Sequence, residues 1–151
     1  MAGPLRVRVA ILALLIAGCS SEREPIPAAC ASDPAAILEA LASAPRAVAL
    51  QDGTRISTCV SRASSSEELQ TLAVALTRVA DDLGTRVERD AGAATAIGYL
   101  AGAVQRGAAS SQGGLAAQLS SRIERAAGRI GALPAAVVAM RRGLLAGRRS
   151  G

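Results

Sequence analysis

An all-α fold, a small bundle of four principal helices preceded by a short N-terminal helix and a loop, is what this chain of 151 residues predicts. Three observations carry the expectation. Apolar residues recur at threes and fours from Leu69 onward, the period of a helix with one buried face. Helix-start signals precede the candidate segments: Asp33-Pro34, Ser65 three residues ahead of Glu68, and Pro134. Hydrophobic residues make up 50% of the chain, with Ala, Leu and Val foremost, yet Phe and Trp are missing and Tyr99 is the lone aromatic. Alanine has the highest helix propensity and lets helices approach closely, but each one buries little area. The expected core is therefore thin, with tightly spaced helices.

The first helix opens at Asp33, a good N-cap, with Pro34 in its first turn. It turns Ile37, Leu38 and Leu41 to one face and stops near Ser43, ahead of Pro45. Residues 46–63 admit two readings. Val48 and Leu50 before Asp52-Gly53, with Ile56 after, form a short-hairpin signal. Alternatively, Ser57 caps a short helix through Arg62 that carries Cys59. Because an isolated hairpin is marginal in water, a turn with strands of at most three residues, followed by that helix, is preferred.

The clearest helix starts at the capping box Ser65-Ser66-Glu67-Glu68 and buries a stripe of Leu69, Leu72, Leu76, Val79, Leu83 and Val87. Asp82 and Arg86 are an i,i+4 pair on its polar side, and Gly84 marks a kink or an end. Asp81 and Asp82 point about 100° apart on a helix, which suits a solvated face better than acid–base work. A second long helix, from about Ala91 to Arg106, carries Ile97, Leu100 and Val104. Its Gly98-x-x-x-Gly102 spacing admits a neighbouring helix to close backbone contact. The default for Tyr99 is a core or rim position with its hydroxyl at the surface. After a flexible connection at 108–114, a helix from about Leu115 to Ile130 places Leu115, Leu119, Ile123 and Ile130 on one face and Arg122, Arg125 and Arg129 on the other. The last helix runs from Pro134 to about Ala146, with Val137, Val138, Met140, Leu144 and Leu145 as its apolar contacts. Arg141 falls inside that arc, so it needs a carboxylate partner or a stem that snorkels to solvent. Residues 148–151, with Arg148 and Arg149, are expected to be a basic tail beyond the helical domain of residues 33–147.

Upstream of these elements, Arg6 and Arg8 precede an apolar core, Val9 to Ala17, far shorter than the about 20 residues that span a bilayer. Its end overlaps Ile16-Ala17-Gly18-Cys19, which resembles the lipobox of bacterial membrane lipoproteins. The resemblance covers residues 1–19 and implies that residues 1–18 are a signal peptide removed by cleavage. It further implies that Cys19 carries a thioether-linked diacylglycerol, often with another acyl chain such as palmitate on its amine. Two or more chains hold a protein firmly to a membrane. The implied location is the extracytoplasmic side of the cell membrane or outer membrane. By the enterobacterial sorting pattern, Ser20 would not retain the protein at the inner membrane.

Residues 19–32 then form a lipid-anchored, proline-bearing tether whose reach after Cys19 is at most about 45 Å. Export would leave Cys30 and Cys59 among oxidants, an even pair that reads as a disulfide, with two buried thiols as the alternative. The loop linked in this way would contribute roughly 3–4 kcal/mol on chain-entropy grounds. The full expectation is four principal helices, a short N-terminal helix and a disulfide-linked loop.

Charge is unevenly distributed. Residues 19–105 hold seven Arg and eleven acids, whereas residues 106–151 hold eight Arg and one acid, Glu124. The basic half suits lipid headgroups, anionic cell-wall polymers or an acidic envelope protein, or it pairs with the acidic half of the same domain. Nucleic acid does not fit an exported chain without stacking aromatics.

The chain has no His and no Lys. That excludes an imidazole base, the commonest zinc ligand, Ser-His-Asp and Cys-His arrangements, and a phosphate-loop lysine. No catalytic residue, metal site or cofactor is assigned. The leading expectation is a non-enzymatic interaction or structural module held to the membrane through Cys19. The alternative is a binder of anionic lipid or cell-wall polymer through Arg122, Arg125, Arg129, Arg141, Arg142, Arg148 and Arg149. A carrier of a small apolar ligand is a third reading, one that needs a cavity between helices.

Overall fold

The computed structural model describes residues 25–111, 114–128 and 134–151, and the whole of the proposed signal peptide and Cys19 lie outside them. Among the described residues there is no strand. A 3₁₀ turn at Ala28–Ala31 leads into six helices: α1 Pro34–Leu41, α2 Ile56–Arg62, α3 Ser66–Arg86, α4 Ala91–Ala109, α5 Gly114–Gly128 and α6 Pro134–Ser150. Four long helices with short N-terminal elements match the expected class.

Local chemistry fixes most boundaries where expected. The Asp33 carboxylate accepts from the Ala35 N–H at 3.1 Å, and Ile37 and Leu41 are buried. At the start of α3, the Ser65 hydroxyl accepts from the Glu68 N–H at 3.1 Å, and the Glu68 carboxylate accepts from the Ser65 N–H at the same distance. This reciprocal capping satisfies two donors that a helix start otherwise leaves open. α3 continues past Gly84 to Arg86, so that glycine neither ends nor starts a new element. Asp82 and Arg86 form an exposed ion pair.

Residues 46–63 depart from the preferred reading. No strand forms; the chain turns at Gly53, where φ is +82°, and closes the turn with a Leu50 N–H to Thr54 O bond of 2.9 Å. α2 begins at Ile56, one residue before the proposed cap. Ser57 is therefore inside the helix and buried, and its hydroxyl donates to the Gly151 backbone oxygen instead. Cys59 on α2 is joined to Cys30 in the 3₁₀ turn by a disulfide, with Cα atoms 5.4 Å apart.

α4 is the centre of the molecule. It packs on α2, α3, α5 and, most intimately, α6, and every residue from Ala96 to Val104 is buried. Tyr99 is fully buried and its hydroxyl is not at the surface, contrary to the default. It accepts from the Val48 N–H at 3.0 Å and lies 3.2 Å from the Ser150 hydroxyl. Ser150 donates its own proton to Ala146 O at 3.0 Å, so Tyr99 is the donor to Ser150. One side chain thus ties α4 to the loop before α2 and to the end of α6.

The last helix does not fray at Ala146. It runs through Arg148 and Arg149 to Ser150, and Gly151 is buried against Ala103. Arg106 holds this end in place by donating to Arg148 O at 3.1 Å and Arg149 O at 2.6 Å, which satisfies carbonyls that a helix end leaves open.

Candidate functional site

Close packing at Gly98 and Gly102 is realised, and its partner is a second glycine pair. A Cβ on Gly98 would lie 2.0 Å from Met140 O, and one on Gly102 would lie 2.2 Å from Leu144 O. Reciprocally, a Cβ on Gly143 would meet Thr95 O at 2.0 Å, and one on Gly147 would meet Tyr99 O at 2.1 Å. Rising positions on α4 meet rising positions on α6, so the two helices run parallel, backbone against backbone. α5 is the return element between them and packs on α3 and α4.

This contact decides which side of α6 faces outward. The inner side is Ala136, Gly143, Ala146 and Gly147, all buried. The expected apolar contacts Val137, Val138 and Leu145 are instead exposed, at 43%, 69% and 45%. Met140 and Leu144 are half-buried at the edge of the contact. The physical reason is distance: where two backbones touch, only side chains of zero or one carbon fit between them. Arg141 needs no buried partner because it is exposed.

The seven proposed anion-binding arginines are not one patch. Arg129 and Ile130 lie outside the described residues. Arg122 borders a groove between α3 and α5 with Leu69, Gln70, Ala73, Leu115 and Leu119. Leu115 is 45% exposed there rather than inside the core face. Arg125 donates back to Ser121 O at 3.1 Å on its own helix. On α6, Arg148 donates to Gln105 Oε1 at 2.6 Å, and Gln105 Nε2 donates to Glu124 Oε1 at 2.8 Å. Ser120 also donates to Glu124 Oε1, at 2.8 Å. The acid of the basic half is thus tied into a relay across α5, α4 and α6. Arg141, Arg142 and Arg149 have exposed guanidinium groups, and no carboxylate among the described residues pairs with them.

Among the described residues, no three of Cys, Asp and Glu gather as a metal site. Among the described residues two carboxylates are shifted, both downward. The backbone N–H groups of Ser65 and Ser64 hold Glu68 below the ordinary glutamate range, and hydrogen bonds from Thr54 do the same for Asp52. Neither is poised to carry a proton near neutrality. The α3–α5 groove holds a hollow of about 170 Å³ beside Leu69 and Leu119 and an adjoining, more open one of about 420 Å³ beside Val74 and Thr77.

No helix of the described residues is long and apolar enough to cross a membrane. No protein-family model, curated protein or solved structure matches the chain.

Sequence reasoning missed Gly143, Gly147, Gln105 and the Ser57–Gly151 bond. The first two carried a readable signal, since Gly143-x-x-x-Gly147 repeats the spacing of Gly98-x-x-x-Gly102.

Proposed function

We propose that this chain is a lipid-anchored envelope protein whose helical body is a non-enzymatic interaction module on the extracytoplasmic side of the membrane. The observation that carries the reading is the surface. Large apolar side chains stand in solvent among exposed arginines on a helix whose inner side is locked by glycines. Such exposure on a rigid element suits a contact made with something else. The lipobox-like run ending at Cys19 and the short tether after it agree, because they would keep that surface beside a bilayer. The disulfide agrees as well, since it belongs to an oxidising compartment.

The anchor is tested on protein from the native envelope. The expected result is an N-terminal peptide starting at Cys19 with the added mass of a diacylglyceryl group. Recovery of the chain with residues 1–18 attached and the Cys19 sulfur unmodified overturns it. Crosslinking in the envelope before solubilisation then identifies a protein partner.

A second reading, binding of anionic lipid or cell-wall polymer, is favoured by the guanidinium groups of Arg141, Arg142 and Arg149 and by the absence of any acid on α6. It expects an association that weakens steeply with salt.

A further inference from the structure

We propose that the outer face of α6 is a membrane-surface contact. Val138 and Leu145 enter the acyl boundary of an anionic bilayer, and Arg141, Arg142 and Arg149 engage its phosphates. The proposal deepens the function reading above and rests on it.

The face is built from a repeat. Val138-Ala139-Met140-Arg141-Arg142 returns seven residues later as Leu145-Ala146-Gly147-Arg148-Arg149. Seven residues are close to two helical turns, so Val138 and Leu145 project from the same side, and each is followed at i+3 and i+4 by an arginine pair flanking it. The inner side is occupied by α4 through Gly143 and Gly147, so this outer side is the one left to solvent. Apolar side chains at 69% and 45% exposure in a row bordered by cations are what an interfacial helix presents. Arginine stems lie along the apolar boundary while their guanidinium groups reach phosphate oxygens.

A partner helix fits this pattern less well. Packing two helices takes apolar residues at both i and i+3 or i+4 of each heptad. Both positions after Val138 and after Leu145 are arginine, and of the Val137, Met140 and Leu144 run that keeps the spacing, Met140 and Leu144 already pack against the core. A lipid surface tolerates that spacing because its charges are mobile and densely distributed. Charge complementarity is one-sided: α6 has no acidic residue from Pro134 to Ser150, and anionic headgroups attract each basic residue near the surface by about a five-fold gain in partitioning.

The chain has no tryptophan, so a single introduced one is a clean depth reporter. The full acylated protein is made with Val138→Trp, Leu145→Trp or, for comparison, Val74→Trp, an exposed apolar position on α3. It is reconstituted in phosphatidylcholine vesicles containing phosphatidylglycerol and brominated lipid. Trp fluorescence at 138 and 145 is expected to shift blue and be quenched, more strongly as phosphatidylglycerol rises and less as salt rises, while position 74 stays unquenched. Adding Arg142→Gln and Arg149→Gln to the first variant lowers the docking equilibrium of α6 on the vesicle, read as the ratio of quenched to unquenched Trp, about 30-fold. Equal quenching at 74 and 138, or none at 138 in protein that floats with the vesicles, overturns the α6 contact and leaves the anchor standing. Protein whose Cys19 carries no acyl mass overturns the anchor. The same titration at higher lipid then still decides α6, with salt-sensitive quenching at 138 supporting it and its absence overturning it. A protein partner in place of lipid shows as crosslinks through α6 in the envelope with no quenching in vesicles.

Discussion

α3 and α6 are similar in length and opposite in construction. α3 buries Leu69, Leu72, Leu76, Val79 and Leu83 and turns Glu67, Asp81 and Asp82 to solvent, as an amphipathic helix does. α6 buries Gly143, Gly147, Ala136 and Ala146 and exposes Val138 and Leu145. The difference shows that two currencies of packing operate in one small body. Against α3, neighbours are held off by side chains, and stability comes from apolar area. Between α4 and α6 the backbones themselves touch, so fit over a long parallel contact replaces area, and the large side chains are displaced outward. That displacement is what leaves α6 with a surface fit for an external partner.

The contrast breaks most visibly at Gly143. Its Cβ position lies 2.0 Å from Thr95 O and 2.9 Å from the Tyr99 N, so Gly143→Ala must push two backbones apart, at a cost of about 3 kcal/mol. Denaturant unfolding reads this directly. The double variant Gly98→Ala/Gly143→Ala is expected to cost less than the sum of its singles, because one separation relieves both clashes. A change below about 0.5 kcal/mol for Gly143→Ala, the range of ordinary surface substitutions, would mean the helices are not in backbone contact.

Tyr99 is the next test, because it ties the end of α6 and the loop before α2 to α4. Tyr99→Phe keeps the ring but leaves the buried Val48 N–H without its acceptor. The expected loss is about 1–3 kcal/mol. Amide exchange sharpens it: the Val48 N–H should lose protection in the variant while the α3 amides keep theirs.

Gly84 supplies the opposite sign. It lies within α3 with nothing within 4 Å of its Cβ position and no positive φ. Gly84→Ala is therefore expected to stabilise the protein by about 0.5–1 kcal/mol, through helix propensity and a less flexible unfolded chain. The same substitution at two glycines thus moves stability in opposite directions, and thermal melts of the two variants side by side suffice to check it.

These elements also mark where sequence reasoning reached and where it stopped. α1 and α3 were legible because their signals are local: Asp33 with Pro34, Ser65 with Glu68, and a stripe of leucines at helical spacing. Gly98 and Gly102 were legible as a close approach, but the spacing does not name the partner, and α6 was oriented by its large residues. Hydrophobicity says which side of a helix prefers burial; it does not say that a neighbour comes too near to admit Val138 or Leu145. Residues 46–63 misled for a related reason. Asp52-Gly53 does mark a turn, with Gly53 at φ +82°, but the pairing that makes a hairpin depends on partners far along the chain. Here Val48 spends its N–H on Tyr99, and Leu50 closes the turn on Thr54 instead. The separation of the arginines onto different faces was equally invisible, because it follows from the topology that makes α5 a return element. Cys30–Cys59 was legible from an even cysteine count joined to the export reading.

The smallest expected effect lies at the start of α3 and depends on pH. Glu68 accepts from the Ser65 N–H at 3.1 Å and the Ser64 N–H at 2.9 Å, and these bonds hold its folded-state pKa below that of the unfolded chain. A depressed carboxylate contributes stability that is fully present above the unfolded glutamate pKa, and the contribution is lost as pH falls through that range toward the folded value. Stability should therefore decline on acidification from about pH 5 downward. Asp52, lowered by Thr54, contributes with the same sign from the turn before α2. Glu68→Gln keeps a side-chain acceptor for the capping box but does not titrate, so its stability–pH curve should be flatter than the wild-type curve over the acid range. The gap between the two curves should close as the pH drops, because protonated glutamic acid and glutamine are both neutral acceptors. Parallel curves through that range would show that Glu68 titrates alike in the folded and unfolded chains, and the box would then owe its strength to geometry alone.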